Sequence, residues 1–527
     1  MRFLPLLILA LLSAFTPALS YSFAAAQPAP PKPSLGMNLN GPADWNTELP
    51  FVDAFRLART WISQRRGEGW GKGPELTLDD NGWVTKIEPG CFAETPVLTV
   101  PSGKRPAGVY TLLYTGKGKL EVSSGKVLTD APGKMTLDIP EGGGLFIRLL
   151  ETDPADPIKN IRFILPGFET TYETEPFHPA FLARWKGFST LRFMDWQHTN
   201  DSKQLRWSDR PTLASAVWTR DGGIPIEVAI DLANRQNANA WFCIPHLADD
   251  DYVRNFALLV KEKLNPNLRA FVEYSNEVWN GQFQQQRHAG DEGLKLKLSD
   301  SHWGSGWKFT AKRSGEIFKI WDDVFADSAR KRLVRVISTQ AGNDYVAGQI
   351  LEYQDIAKHT DALAIAPYFG WNVPQNSNDP KTQTAEQVAK LTVDQILDHL
   401  EKVSLPESIG WINAHQKIAQ KHNLSLVCYE AGQHLVGIQG GENNEAVTKL
   451  FHAANRHPRM GELYTKYFAA WQAANGQELV MFASTGEWSK WGSWGLSQFY
   501  NDNPTDYPKL AATLQQAAAW GQKVTPP

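Results

Sequence analysis

Two glutamates in this 527-residue chain stand in strings suited to acid–base work: Glu277 in Val272-Glu273-Tyr274-Ser275-Asn276-Glu277-Val278-Trp279-Asn280, and Glu430 in Cys428-Tyr429-Glu430-Ala431-Gly432. Each follows a short apolar run. Hydrolysis of a glycosidic bond with retention needs two carboxyl groups about 5 Å apart, one as proton donor and then base, the other as nucleophile. A lone glutamate at a strand end reads as a solvated rim residue; two of them, with the neighbours below, read as a pair. Glu273 lies four residues before Glu277 on the same strand face and is expected to be a buried, paired carboxylate. Asp195 and His198 could bind substrate hydroxyls or cap the following loop. His246 with Asp249, Asp250 and Asp251 has the look of a metal cluster. However, Leu247-Ala248 intervene, and acidic residues are favoured at a helix start in any case. No Gly-x-Ser-x-Gly elbow and no phosphate-cradling glycine loop opens a helix. Neither a metal nor a cofactor is expected.

These residues must be positioned by something, and the spacing of apolar runs says what. Strand-like runs at 34–39, 190–194, 240–245, 270–274, 333–338, 362–366, 425–429 and 479–483 are rich in Val, Ile, Phe and Leu and lack polar alternation. That pattern suits strands buried on both faces of a parallel sheet. Amphipathic, helix-length stretches lie between them, among them 51–61, 250–264 and 385–403. Eight such units predict an α/β fold, a (β/α)8 TIM barrel, whose functional groups gather at the C-terminal strand ends. Those ends carry Arg192 with Asp195, His246, Asn276-Glu277, Pro367-Tyr368-Phe369, Glu430, and Ser484-Thr485-Gly486-Glu487-Trp488 followed by Trp491 and Trp494. Residues 67–167 differ in texture: short β-rich runs at 109–115, 120–122, 135–139 and 145–150 alternate with Gly-rich turns. They predict an antiparallel β-sandwich inserted after the first barrel strand and helix. The expected organisation is thus a signal peptide (1–26), a Pro-rich tether (27–33), a first βα unit (34–66), an inserted β-rich domain (67–175) and the rest of the barrel (176–527).

In this register the sequence resembles the clan of retaining (β/α)8 glycoside hydrolases, in which Asn-Glu ends strand four and Glu ends strand seven. It also resembles exported bacterial proteins with cellulose-binding or glycosidase-like labels. The resemblance implies Glu277 as acid/base, with Asn276 bonding the sugar 2-hydroxyl, and Glu430 as nucleophile. Arg192 would hold that nucleophile ionised, Tyr368 would hydrogen-bond it, and Trp488 or Trp491 would form the stacking floor. Trp279, His246 and Asp195 are further substrate-binding candidates. The string around Glu430 departs from the motif of any one large family, so no family within the clan is named. The implied function is hydrolysis of β-linked polysaccharide or oligosaccharide; the alternative is a non-catalytic cellulose- or β-glucan-binding protein on the same barrel.

Composition agrees with a globular, sugar-facing protein. With 42% hydrophobic and 21% charged residues a core can form, and a net charge of -3 lacks the basic excess of a nucleic-acid binder. Twenty tryptophans supply flat faces for sugar rings. Arg2, the apolar run 3–15 and Ala24-Ala25-Ala26 read as a secretory signal, too short for the roughly 20 apolar residues of a membrane span. A secreted or periplasmic monomer, free of the membrane after cleavage, is expected. Its three cysteines cannot form a disulfide framework, and Cys243 and Cys428 sit in apolar runs as buried thiols.

Overall fold

The computed structural model describes residues 32–371, 373 and 384–525, so the expected signal peptide lies outside the described residues. Eight parallel strands close a barrel in chain order: β1 Ser34–Asn38, β2 Thr190–Arg192, β3 Asn239–Ile244, β4 Ala270–Tyr274, β5 Leu333–Ser338, β6 Ala362–Ile365, β7 Ser425–Ala431 and β8 Glu478–Met481. This is a TIM barrel. The absence of polar alternation now has its cause, because both faces of the strands are buried. Leu35, Met37, Phe242, Ile244 and Val272 join the layer shared with the helices. Trp241, Cys243, Phe271, Val336, Ala364, Val427 and Tyr429 fill the interior. At Gly36 a Cβ would stand 2.8 Å from Glu478 Oε1 and 2.9 Å from the Thr190 carbonyl, so only glycine lets β1 sit between β2 and β8.

The helix predicted at 51–61 does not form; only a short 3-10 turn, Ala54–Leu57, is present. Residues 51–58 are buried all round rather than on one face, and they are bridged through Phe51 to Phe177 and through Asp53 to Ile164. It is a seam between two cores. The helix leading into β2 is Pro179–Trp185, after the insert. The helix expected at 385–403 is likewise divided. Capping boxes at Thr384/Gln387 and Thr392/Gln395 start two short helices, Ala385–Val388 and Val393–His399. The helix predicted at 250–264 is found at Asp250–Lys263, and Asp249 caps it by accepting from the Tyr252 amide. The acidic run after His246 is therefore a helix start.

Between β1 and β2 lie two four-stranded antiparallel sheets. The first runs in the order Ile62–Arg65, Cys91–Val97, Leu145–Thr152, Gly118–Val122; the second runs Lys159–Ile164, Gly108–Thr115, Lys134–Ile139, Lys126–Ala131. Their strands begin at Ile62, inside the stretch expected to belong to the first βα unit. Val97, Leu120, Ile147 and Leu149 of the first sheet share one buried cluster with Tyr110, Leu112, Leu137, Ile161 and Phe163 of the second. The same cluster takes in Leu49, Phe55, Ala216 and Val217 from segments that follow β1 and β2. The three cysteines are buried and unpaired with one another. Among the described residues no helix is long and apolar enough to cross a membrane.

Candidate active site

The site is built at the C-terminal ends of β2, β4, β6 and β7. β7 matters most, because alternation along a strand would aim Tyr429 and Glu430 at opposite faces. The pairing of β7 with β8 is irregular between Cys428 and Ala431, and this break lets both side chains reach the mouth. After β4 the chain turns sharply, with Ser275 at φ 56° and Glu277 at φ 42°, a left-handed backbone that non-glycine residues rarely adopt. Strain of this kind persists where the surroundings over-determine it, as they do at functional sites.

Arg192, wholly buried at the end of β2, organises the centre. Its Nη1 donates to Glu430 Oε1 at 3.0 Å and to Asn38 Oδ1 at 3.1 Å; its Nη2 donates to Glu273 Oε2 at 2.9 Å and to Asn276 Oδ1 at 2.8 Å. A buried guanidinium is costly unless its donors are met, and here they are met from four sides. Glu273 is the expected interior carboxylate, also accepting from the Trp241 indole at 2.8 Å. The second Glu430 oxygen accepts from Tyr368 Oη at 3.0 Å. Glu277 is held differently, by Tyr429 Oη at 3.1 Å and Asn280 Nδ2 at 2.9 Å. Asn276 donates to Asn200 Oδ1 at 3.0 Å, which leaves one amide hydrogen for a ligand.

The electrostatics follow from burial. Glu430 is pushed up to about 8, chiefly by desolvation, against the pull of Arg192 and with the nearby Glu277 adding to the rise. Glu277 is raised too, again by desolvation first, with Asn280 and Tyr429 opposing. Asp195 is raised to about 6 by burial and faces the same centre. It lines a polar recess of about 430 Å³ with His198, Asn200 and Asp221.

The structure brings together Glu277, Glu430, Arg192, Asn276 and Tyr368, with Asp195 beside them and the Trp279 indole facing the Tyr429 hydroxyl. His246 is buried apart, its ring 5.4 Å from that of His288, and burial holds it neutral with a pKa of about 4. Trp488 is no stacking floor: it is buried, donates to the Gly495 carbonyl at 2.9 Å and packs against Tyr507. Trp491 is 64% exposed under Lys490, with its carbonyl accepting from Trp494. The aromatic wall beside the nucleophile candidate is instead Phe482 and Trp494, whose rings lie 6.4 and 5.9 Å from Tyr368, with His434 4.9 Å from Trp494. Sequence reasoning also missed Tyr429, Asn280, Asn38 and Asn200, although the first two stand inside the strings it singled out. Among the described residues no three His, Cys, Asp or Glu side chains converge as a metal site.

The chain is similar to glycoside hydrolases of known structure. A Bacteroidetes-affiliated GH5 cellulase linked with a polysaccharide utilization locus is 9% identical over 65% of this chain and 83% of that one, with a TM-score of 0.37. A GH5-4 broad-specificity endoglucanase from Clostridium acetobutylicum is 12% identical over 62% and 85%, at 0.35. A 4-O-alpha-L-rhamnosyl-beta-D-glucuronidase from Fusarium oxysporum is 12% identical over 64% of each chain, at 0.37. No protein-family model matches the sequence, and no curated protein does. Overlap this low assigns no role to any residue.

Proposed function

We propose that the protein is an exported retaining glycoside hydrolase acting on β-linked polysaccharide or oligosaccharide. The observation that carries this reading is the unequal treatment of two neighbouring carboxylates. Arg192 and Tyr368 both donate to Glu430, whereas Glu277 receives only the neutral donors of Tyr429 and Asn280. Two such groups titrate as a pair, and the cation beside Glu430 sends their shared proton to Glu277. Glu277 then protonates the glycosidic oxygen as Glu430 attacks the anomeric carbon, the leaving group departs, and a glycosyl ester forms on Glu430. Glu277, now a base, takes a proton from water; the water attacks the anomeric carbon and frees Glu430. Asn276 offers its remaining amide hydrogen to the sugar 2-hydroxyl, and Phe482 with Trp494 walls the ring. The two antiparallel sheets serve as an accessory sandwich.

The test is to incubate purified protein with β-glucans, xylans and mannans and to count new reducing ends, with Glu430→Gln as control. Release by the wild type and loss of at least a thousandfold in the variant is the expected result. Retention on a polymer without release would turn the reading to a binding protein.

A further inference from the structure

The mechanism leaves Asp195 without a task, and so does the packing around it. It stands close enough to Arg192 and Glu430 for their charges to act on one another, yet among the described residues nothing donates a hydrogen bond to its carboxylate and no cation pairs with it. The reason lies at Arg192. A guanidinium has five N–H groups. Here Nε and Nη2 both donate to Glu273, Nη2 donates also to Asn276, and Nη1 donates to Asn38 and Glu430. None is left for Asp195. Its side chain opens instead onto the recess of about 430 Å³ beside the barrel mouth. A carboxylate half out of water with no donor is a group that a ligand is needed to complete.

The other charges that line the recess decide what that ligand carries. Lys203 pairs with Asp221 at 3.5 Å, both of them well exposed. Burial holds His198 below the usual histidine range, with its ring against the backbone of Arg220 and Pro42. Asp201 accepts the Gln284 amide at 2.6 Å and has no ion pair. Two carboxylates therefore line the recess without a cation, and a third brought in by a ligand would be repelled at short range. Asn200 joins the recess to the mouth. Its Oδ1 is taken by Asn276 at 3.0 Å and Gln285 at 2.7 Å, while its Nδ2 reaches only the Met194 sulfur at 3.9 Å. The wall thus offers a free acceptor at Asp195 and a lightly held donor at Asn200, the two halves of hydroxyl recognition. We propose that Asp195 is a specificity-determining residue: the recess seats a sugar unit that gives Asp195 a hydroxyl or ammonium hydrogen, and it turns away a uronate. The proposal rests on the proposed function for a β-linked glycan in the mouth, not for its cleavage.

Glu430→Gln protein is titrated calorimetrically at about pH 7.5 with β-1,4-linked hexaoses of glucose, xylose, mannose, glucosamine, glucuronate and mannuronate. The best neutral or amino hexaose is expected to bind at least tenfold tighter than either uronate, and glucose against glucosamine tells whether the donor is hydroxyl or ammonium. This comparison needs no change at Asp195. Adding Asp195→Asn, which keeps the shape and breaks no hydrogen bond, should leave the melting temperature at or above that of its parent. It should weaken the best hexaose tenfold or more and narrow its lead over the uronates. No binding by any hexaose, a uronate as tight as the best of the others, or a lead that Asp195→Asn leaves unchanged overturns the proposal. The expected preference together with no reducing ends from the wild type upholds Asp195 and removes the catalytic reading. Reducing ends without the preference remove the role of Asp195 alone.

Discussion

Tyr429 and Tyr368 each give one hydroxyl to one carboxylate, and that division makes the acid/base assignment measurable. Activity requires one proton on the pair, carried by Glu277, whose carboxyl burial holds above the usual range, so kcat/KM must fall as pH rises through the loss of that proton. The Tyr429 hydroxyl stabilises ionised Glu277. Tyr429→Phe should therefore move the alkaline limb to higher pH, as read on an activated aryl glycoside; a limb that moved down would exclude Glu277 as the acid. Glu48 makes the complementary case for stability. It is buried between the Trp185 indole and Ser484 and pushed up to about 8, chiefly by desolvation. A carboxylate raised in the folded state loses stabilisation as pH climbs from its unfolded value through the folded one. Glu48→Gln should thus gain on wild type by on the order of a few kcal/mol at pH 9 relative to pH 4, seen as a difference in melting temperature, with turnover unaltered. Glu277 and Glu430 stood out in the sequence because each follows an apolar run, whereas Arg192, inside such a run, and Tyr368 were given their places beside Glu430 by the family resemblance. Tyr429 did not stand out, because regular alternation points it away from its neighbour and only the irregular pairing in β7 brings both inward.

β1 shows how closely the barrel is drawn together. A methyl at Gly36 would press on the Thr190 carbonyl, which is backbone and cannot turn aside. Gly36→Ala should cost about 1–3 kcal/mol, the usual range for overpacking, and a denaturant midpoint equal to wild type would show that β1 has slack. The strands were legible from their apolar runs, since burial on both faces leaves a plain mark in composition. The failures have a shared cause. Residues 51–61 space their apolar groups like a helix face, but the polar positions between them, Asp53 and Arg56, are buried as an ion pair against the insert. Trp488 follows β8 at a distance that suits a rim, yet Arg456, Tyr507 and Lys509 enclose it. Long-range partners decided both, and no local pattern reports them.

At the scale of the molecule, the two antiparallel sheets do not hang from the barrel by a linker. Asp44, after β1, accepts from the Thr99 amide at 2.7 Å and pairs with Arg59 at 2.9 Å, while the Asn81 carbonyl accepts from Ala216 at 2.8 Å. The second core cluster straddles the junction through Leu49, Phe55, Ala216 and Val217. Excision of residues 62–164 should therefore strip the cover from those apolar groups and give aggregated product on size-exclusion chromatography. A monomeric barrel with native circular dichroism would show that the cores are independent. The insert was legible as β-rich from its turns, whereas its shared core was not, because the residues that complete it lie on both sides of β2.

The pairing of β1 with β8 also sets a clock. Ser34 and Glu478, bonded across that seam, are 444 positions apart. At roughly 5–20 residues per second, synthesis leaves the first strand waiting roughly 20 to 90 seconds for its partner. The antiparallel sheets, with hairpin neighbours close in sequence, can order during that wait; the barrel cannot. A nascent chain that has completed β1 to β7 but not β8 leaves β1 and β7 each without the neighbour that closes the barrel, two open edges of a parallel sheet. Holding that sheet apart from others of its kind is thus a task for whatever escorts the chain while it is being made.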